Sequence, residues 1–89
     1  MSFYSQPKKF RLVFKNDDYT SYDHVINCLV DIVGISEDDA ERIAHKIHKE
    51  GTAIVLEADH DKLKDIKYNI DKLSEKNSMP LDIHIAYGL

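Results

Sequence analysis

Three oxygen-rich side chains stand together directly after an apolar run. The run spans residues 10–14, and Asn16, Asp17 and Asp18 follow it. Asparagine and aspartate favour turns because their side chains bond to nearby backbone groups. A turn does not need both aspartates, however, and adjacent carboxylates repel each other. The alternative is an acceptor cluster whose carboxylate and amide oxygens bind a cationic group.

Two histidines offer a second candidate site near the end of a predicted helix. His45 and His48 are three residues apart and could share a helix face, so that with Asp17 they could form a metal-binding or catalytic centre. No HExxH motif accompanies them. A protonated histidine is also favourable at a helix C-terminus without any ligand. We therefore expect no metal and no cofactor. Three other histidines are predicted to be exposed to solvent: His24, His60 and His84.

Motifs of the common catalytic sites are missing from the sequence. The chain has no nucleophile elbow, no Walker loop and no paired cysteines. Cys28 could form a dyad with a distant histidine, but it falls in an apolar helical pattern, where a thiolate is poorly stabilised. Asp17 and Asp18 are consecutive and point in different directions, which is poor geometry for acid–base catalysis. We therefore predict that the protein is not an enzyme.

The composition fits one small globular domain. The chain has 89 residues, of which 43% are hydrophobic and 31% charged, enough for one modest core. The net charge of −4 disfavours nucleic acid and anionic membranes as main partners. A single cysteine suits a reducing compartment, and the N-terminus has no apolar signal segment. These features predict a cytoplasmic protein, with a monomer as the default state.

Hydrophobic periodicity predicts the element order β-α-α-β-α-β. The predicted elements lie at residues 10–14, 22–34, 36–51, 52–56, 59–76 and 81–87. Thr20 or Ser21 can cap the first helix, and Gly34 and Gly51 can end the first two. The order indicates an α+β fold, in which a three-stranded antiparallel sheet packs with three helices. The core domain is expected over residues 8–89, after a flexible leader at residues 1–7.

Four segments of the chain are characteristic in combination. They are the strand followed by Asn-Asp-Asp-Tyr-Thr (residues 10–20), the helix over 22–34, the run over 40–51 that ends in His-Lys-Glu-Gly, and Met-Pro-Leu at 79–81. Together they resemble the core domain of ClpS, the adaptor that recognises N-degrons for the ClpA/ClpC-type AAA+ protease. The likeness covers about residues 8–86. It implies a small domain similar to the C-terminal domain of the bacterial ribosomal stalk protein, in agreement with the predicted order.

The resemblance implies that the loop and the helix-end histidine hold the free α-amino group of a protein's first residue. The matching positions are Asn16, Asp18 and His48, with Asp17 beside them. An ammonium has three donors and no acceptor, so an amide oxygen, a carboxylate and a neutral imidazole nitrogen suit it. The family prefers Leu, Phe, Tyr or Trp as the first residue. The resemblance places six residues in the apolar pocket for that side chain: Thr20, Tyr22, Val25, Ala44, Ile47 and Leu81.

Several positions depart from the usual pattern of the family. Tyr22 and Ala44 both stand where methionine is common, so the first-residue preference is expected to differ. Ser21 replaces a usual proline. Residues 61–67 do not keep the family's acid-and-lysine pattern, and the leader is short. The resemblance implies docking on the N-terminal domain of a Clp unfoldase, but residues 61–67 support docking less than the loop and the helix end support recognition, and the short leader predicts poorer delivery. The alternative is an interaction domain of the same fold that does not bind N-degrons, or binds them without delivery.

Overall fold

The predicted α+β fold and its element order are confirmed by a computed structural model. It describes residues 9–87, so the predicted leader at residues 1–7 lies outside the described residues. One sheet contains the strands β1 (Phe10–Lys15), β2 (Thr52–Ala58) and β3 (Asp82–Tyr87). Its order is β2-β1-β3, and β1 pairs antiparallel with both neighbours. The central strand is therefore the one that leads into the acceptor-rich loop.

Three helical regions accompany the sheet. They are α1 (Tyr22–Asn27) with its π-helical continuation (Cys28–Val33), α2 (Glu37–Glu50) and α3 (His60–Lys76). None of the helices within residues 9–87 is both long and apolar enough to cross a lipid bilayer.

The first helix differs from the prediction in its second half. A single helix was expected over residues 22–34, but the turns over Cys28–Val33 are π-helical. The N–H of Gly34 donates to the carbonyl of Leu29, five residues earlier, at 2.9 Å. Gly34 still ends the helix with φ 91°, a left-handed conformation that glycine adopts without a Cβ clash. Hydrophobic spacing could not reveal this change, because one extra residue per turn alters the pattern only locally.

Serine side chains determine where α1 and α2 begin. The Oγ of Ser21 accepts from the backbone N–H three residues later at 3.0 Å, and Ser36 does the same at 3.2 Å. Of the two candidates for the first cap, it is therefore Ser21 rather than Thr20 that caps α1. Asp59 occupies the cap position of α3, but its side chain accepts no hydrogen bond there.

The core lies where the helices pack on the sheet. Leu12 and Phe14 on β1 and Leu63 and Ile70 on α3 are fully buried. Burial of each such side chain contributes about 1.5–3 kcal/mol. The remaining buried apolar residues are Val25, Cys28, Leu29, Ala40, Ala44, Ile47, Ala53, Val55, Leu81 and Ile83. The core thus reaches α1 and α2, which face each other beside the loop after β1.

One histidine lies inside this core, which corrects the prediction. His24 was expected in solvent but is only 4% exposed, whereas His60 and His84 are exposed as predicted. The ring nitrogen Nε2 of His24 lies 2.8 Å from the Oγ of Ser74 on α3. Burial is tolerated because the ring finds a hydrogen-bond partner across the core.

Candidate functional site

A single cavity of about 270 Å³ brings most of the predicted site residues together. This volume is slightly below the roughly 300–1,000 Å³ of pockets for drug-sized ligands, so it suits a small group such as one side chain. Leu81 does not line it: this residue is 8% exposed and belongs to the core. The lining residues are the other nine predicted ones: Asn16, Asp17, Asp18, Thr20, Tyr22, Val25, Ala44, Ile47 and His48.

Two hydrogen bonds, one of them from a side chain, hold the polar loop near the end of α2. The N–H of Asn16 donates to the carbonyl of Gly51 at 2.9 Å. The hydroxyl of Thr52 donates to the carbonyl of Phe14 at 3.1 Å. Gly51 itself ends α2 with φ 89°, shortly after His48. These bonds connect the end of β1 to the end of α2, so Asn16 and His48 line the same cavity although they are far apart in sequence.

The carboxylate of Asp17 organises the loop from within. Its Oδ1 accepts from the backbone N–H groups of Tyr19 at 2.8 Å and Thr20 at 2.7 Å, and its Oδ2 accepts from the Thr20 hydroxyl at 2.7 Å. Burial alone would raise the pKa of Asp17, but the bonds from Thr20 and Tyr19 outweigh it, so the pKa is lowered. Asp17 therefore performs the turn function that its residue type favours.

Three side chains at the polar end of the cavity have unused acceptors. Among residues 9–87, Asn16, Asp18 and His48 make no side-chain hydrogen bond or ion pair, and all three are exposed. We call them the acceptor trio. They present an amide oxygen, a carboxylate and, in the neutral ring, an imidazole nitrogen. Such a set can meet a ligand that donates several hydrogen bonds and carries a positive charge.

The other end of the cavity is apolar. Val25 of α1 and Ala44 and Ile47 of α2 are 7%, 2% and 3% exposed, and we call them the apolar floor. Tyr22 forms a wall beside them, and its hydroxyl donates to the backbone carbonyl of Glu41 on α2 at 3.3 Å. The small side chain of Ala44 leaves room between the two helices. An apolar group can therefore be buried in the same cavity that the acceptor trio lines.

The rival sites lack either the grouping of side chains or the ionised thiol that they need. Within residues 9–87, no three His, Cys, Asp or Glu side chains are grouped as metal ligands would be; His45 and His48 are exposed on α2. Cys28 does lie 3.5 Å from the ring of His24. Burial, with a contribution from the charge of Asp31, raises the pKa of the thiol to about 11. The thiol is therefore protonated at neutral pH and is a poor nucleophile.

Sequence reasoning missed the structural roles of three residues in the elements around the site. Gly51 was predicted only as a helix end, yet its carbonyl holds the loop. Glu41 contributes a backbone carbonyl, for which no side-chain signal exists. His24 did carry a signal: it precedes Cys28 by four residues, so it lies on the same helix face as a residue already assigned to the core.

Most of the chain matches one known protein family. The family model described as "ATP-dependent Clp protease adaptor protein ClpS" matches residues 5–84. This chain belongs to the ClpS family. The family predicted from the loop, the helix-end histidine and the Met-Pro-Leu segment is therefore confirmed, and its members are described as protease adaptors.

Individual relatives agree with the family assignment. The ClpS of Treponema denticola is 29% identical over 80 residues, which cover 90% of this chain and 79% of the relative. The ClpS of Clostridium acetobutylicum is 30% identical over 78 residues, which cover 88% and 77%. Among solved structures, Agrobacterium tumefaciens ClpS2 bound to L-phenylalaninamide superposes with a TM-score of 0.88 at 25% identity. That match covers 93% of this chain and all of the other.

Proposed function

We propose that this ClpS-family protein binds free α-amino N-termini that begin with a bulky hydrophobic residue, and delivers them to a ClpA/ClpC-type AAA+ protease. The observation that carries the proposal is the cavity itself. Its acceptor trio and its apolar floor adjoin each other, and the trio has no partner among residues 9–87. The α-ammonium and the side chain of a first residue also adjoin each other, since both are attached to one Cα.

The chemistry of the trio favours a chain start over any internal residue. An ammonium offers three donors and one positive charge, whereas an internal peptide group offers a single N–H. The carboxylate of Asp18 supplies a charge-assisted bond, about twice as strong as a neutral one. An acetylated N-terminus has lost the charge and two donors. The ligand of the Agrobacterium tumefaciens ClpS2 structure, L-phenylalaninamide, combines a free amino group with an aromatic side chain, and this supports the proposal.

The apolar floor adds affinity for the first side chain. Burying a Leu or Phe side chain contributes about 1.5–3 kcal/mol. The hydrogen bond from the ammonium to Asp18 contributes a similar amount, about 1.5–3 kcal/mol. Neither term alone would discriminate strongly, but together they select chains that have both a free amino group and an apolar first residue.

A binding panel tests the recognition step. A fluorescent peptide that begins with Phe is titrated by anisotropy beside its N-acetylated twin and a peptide that begins with Ser. Loss of the charge-assisted bond should weaken the acetylated peptide by at least about tenfold. The Ser peptide should be weaker by a similar factor, because its side chain leaves the apolar floor unfilled. Equal affinity of the Phe peptide and its acetylated twin would refute the proposed function.

Delivery needs a separate assay. We propose that the protein acts as a non-enzymatic monomer and that it docks on the N-terminal domain of the unfoldase. We propose a cytoplasmic location, because an ATP-dependent partner works where ATP is available. Purified ClpA or ClpC with its peptidase should degrade a Phe-initiated reporter faster when this protein is added. Peptide binding without faster degradation would instead support the alternative, an interaction domain that does not deliver.

A further inference from the structure

A buried polar network lies behind the wall of the cavity. His24 on α1 and Ser74 on α3 are each 4% exposed, and they are the two buried polar side chains among residues 9–87. The ring nitrogen Nε2 of His24 lies 2.8 Å from the hydroxyl of Ser74. In sequence, His24 stands between Tyr22 and Val25, which both line the cavity. The network therefore connects the segment of α1 that lines the cavity to α3, across the core.

The neighbours of the ring favour its neutral form. The amide nitrogen of Asn77, at the end of α3, lies 3.5 Å from Nδ1. An amide nitrogen only donates, so this pairing favours the tautomer in which Nδ1 accepts and Nε2 carries the ring proton toward Ser74. A second proton on Nδ1 would face the donor of Asn77. Protonation would thus replace an acceptor by a donor and place a charge in the core.

Among the described residues, none of the side chains that contact the ring carries a charge that would compensate that of the protonated ring. The side chains that face it are Ser74 and Asn77 from α3 and Cys28 from its own helix, whose Sγ is 3.5 Å from Nε2. Only Cys28 is titratable, and its thiol is neutral because burial, with the charge of Asp31, raises its pKa to about 11. Within residues 9–87, His24 has no ion pair, since the ion pairs there join other residues.

We propose that neutral His24 is a positioning residue, which holds α1 against α3 and so keeps the Tyr22 wall and the neighbouring Val25 of the floor in place, and that protonation of its ring releases this wall. The predicted effect of His24 on ligand binding rests on the proposed function. The predicted effect of His24 on folding stability is independent of that function. Mild acid should therefore both destabilise the fold and weaken ligand binding through a residue outside the cavity.

The sign of the pH dependence follows from the burial of the ring. Burial lowers the pKa of His24 below the ordinary value of 6.5, so the unfolded chain binds the proton more tightly than the folded one. The stabilisation is complete above pH 6.5 and is lost as the pH falls toward and through the lowered pKa. In that window, the folding equilibrium constant should fall by up to about tenfold per pH unit.

Denaturant unfolding between about pH 8 and pH 5.5 tests the folding effect. His24→Phe keeps a ring that cannot titrate, and its stability should depend less on pH than that of the wild type. His45→Gln removes an exposed histidine of α2 and should retain the wild-type dependence. Ser74→Ala leaves the buried ring N–H without its acceptor and should lower the folding constant about tenfold already at neutral pH. A His24→Phe variant with the wild-type pH dependence would overturn the proposal.

Two further measurements make the test independent of that variant and of the proposed function. NMR titration of the His24 ring in the wild-type protein should give a pKa below 6.5, and a value at or above 6.5 would overturn the proposal even if His24→Phe did not fold. The affinity for a Phe-initiated peptide should fall less on acidification in His24→Phe than in the wild type; an equal fall would overturn the effect on the wall. Absence of peptide binding at neutral pH would refute the proposed function alone, because the unfolding data judge His24 separately.

Discussion

The two adjacent aspartates should respond differently to substitution. The carboxylate of Asp17 accepts three hydrogen bonds inside the loop, whereas that of Asp18 has no partner within residues 9–87 and lines the cavity. We therefore expect Asp17 to contribute to the stability of the loop and Asp18 to the affinity for the ligand. The variants Asp17→Asn, Asp17→Ala and Asp18→Asn separate the two roles.

The magnitudes follow from the bonds that each variant loses. Asp17→Ala removes all three acceptor contacts, including those to the half-buried Thr20, and should cost about 1–3 kcal/mol of unfolding free energy. Asp17→Asn keeps Oδ1 for the two backbone N–H groups, and its new amide can donate to the Thr20 hydroxyl. It should therefore cost less than about 1 kcal/mol. Asp18→Asn turns a charge-assisted bond into a neutral one, which weakens binding by about 1.4 kcal/mol, or tenfold.

Denaturant titration and peptide anisotropy, carried out on the same preparations, check these expectations. Asp18→Asn should bind a Phe-initiated peptide about tenfold more weakly and unfold at the wild-type denaturant concentration. Asp17→Ala should unfold earlier and lose affinity through its disordered loop, while Asp17→Asn should stay near the wild type in both assays. If Asp18→Asn destabilised the fold as much as Asp17→Ala, or bound the peptide as well as the wild type, the proposed division of roles would be wrong.

Four other substitutions probe the cavity and the elements around it. Ser21→Ala removes the N-cap of α1 and should cost about 1 kcal/mol of stability as well as peptide affinity. Ser36→Ala removes the N-cap of α2 and should cost the same stability but leave peptide affinity intact. Denaturant unfolding and peptide anisotropy, measured on both serine variants, would show this difference between them. In Gly51→Ala the new Cβ meets no atom within 4 Å, so the loss of stability comes from the left-handed backbone alone and should be about 1–2 kcal/mol. Thermal unfolding measures this loss, and an unchanged melting temperature would argue against the left-handed conformation. Ala44→Met should fill space between α1 and α2. Overpacking costs about 1–3 kcal/mol and should affect the larger Trp side chain more than Leu, so the affinity ratio of Trp-initiated to Leu-initiated peptides should fall about tenfold. A constant ratio would show that Ala44 does not determine specificity.

Local patterns in the sequence predicted the secondary structure well. Apolar alternation, helical spacing and the glycines at residues 34 and 51 located all three strands and the helix boundaries, because these signals depend on neighbours within one or two turns. The acceptor trio could also be selected, through the resemblance of the loop and the helix end to one family. Nine of the ten predicted residues then line one cavity, and their binding role is what the peptide assays will judge.

Contacts between distant segments decided the rest. The sequence of the loop shows two equivalent aspartates, and only the folded loop shows that Asp17 is occupied by Tyr19 and Thr20 while Asp18 is not. Likewise, the periodicity around His24 shows a histidine near an apolar face, but its burial depends on Ser74, which belongs to a helix far along the chain. The physical reason is the same in both cases. Residue type and spacing determine which groups are available, whereas hydrogen-bond partners and access to solvent are set by packing between elements.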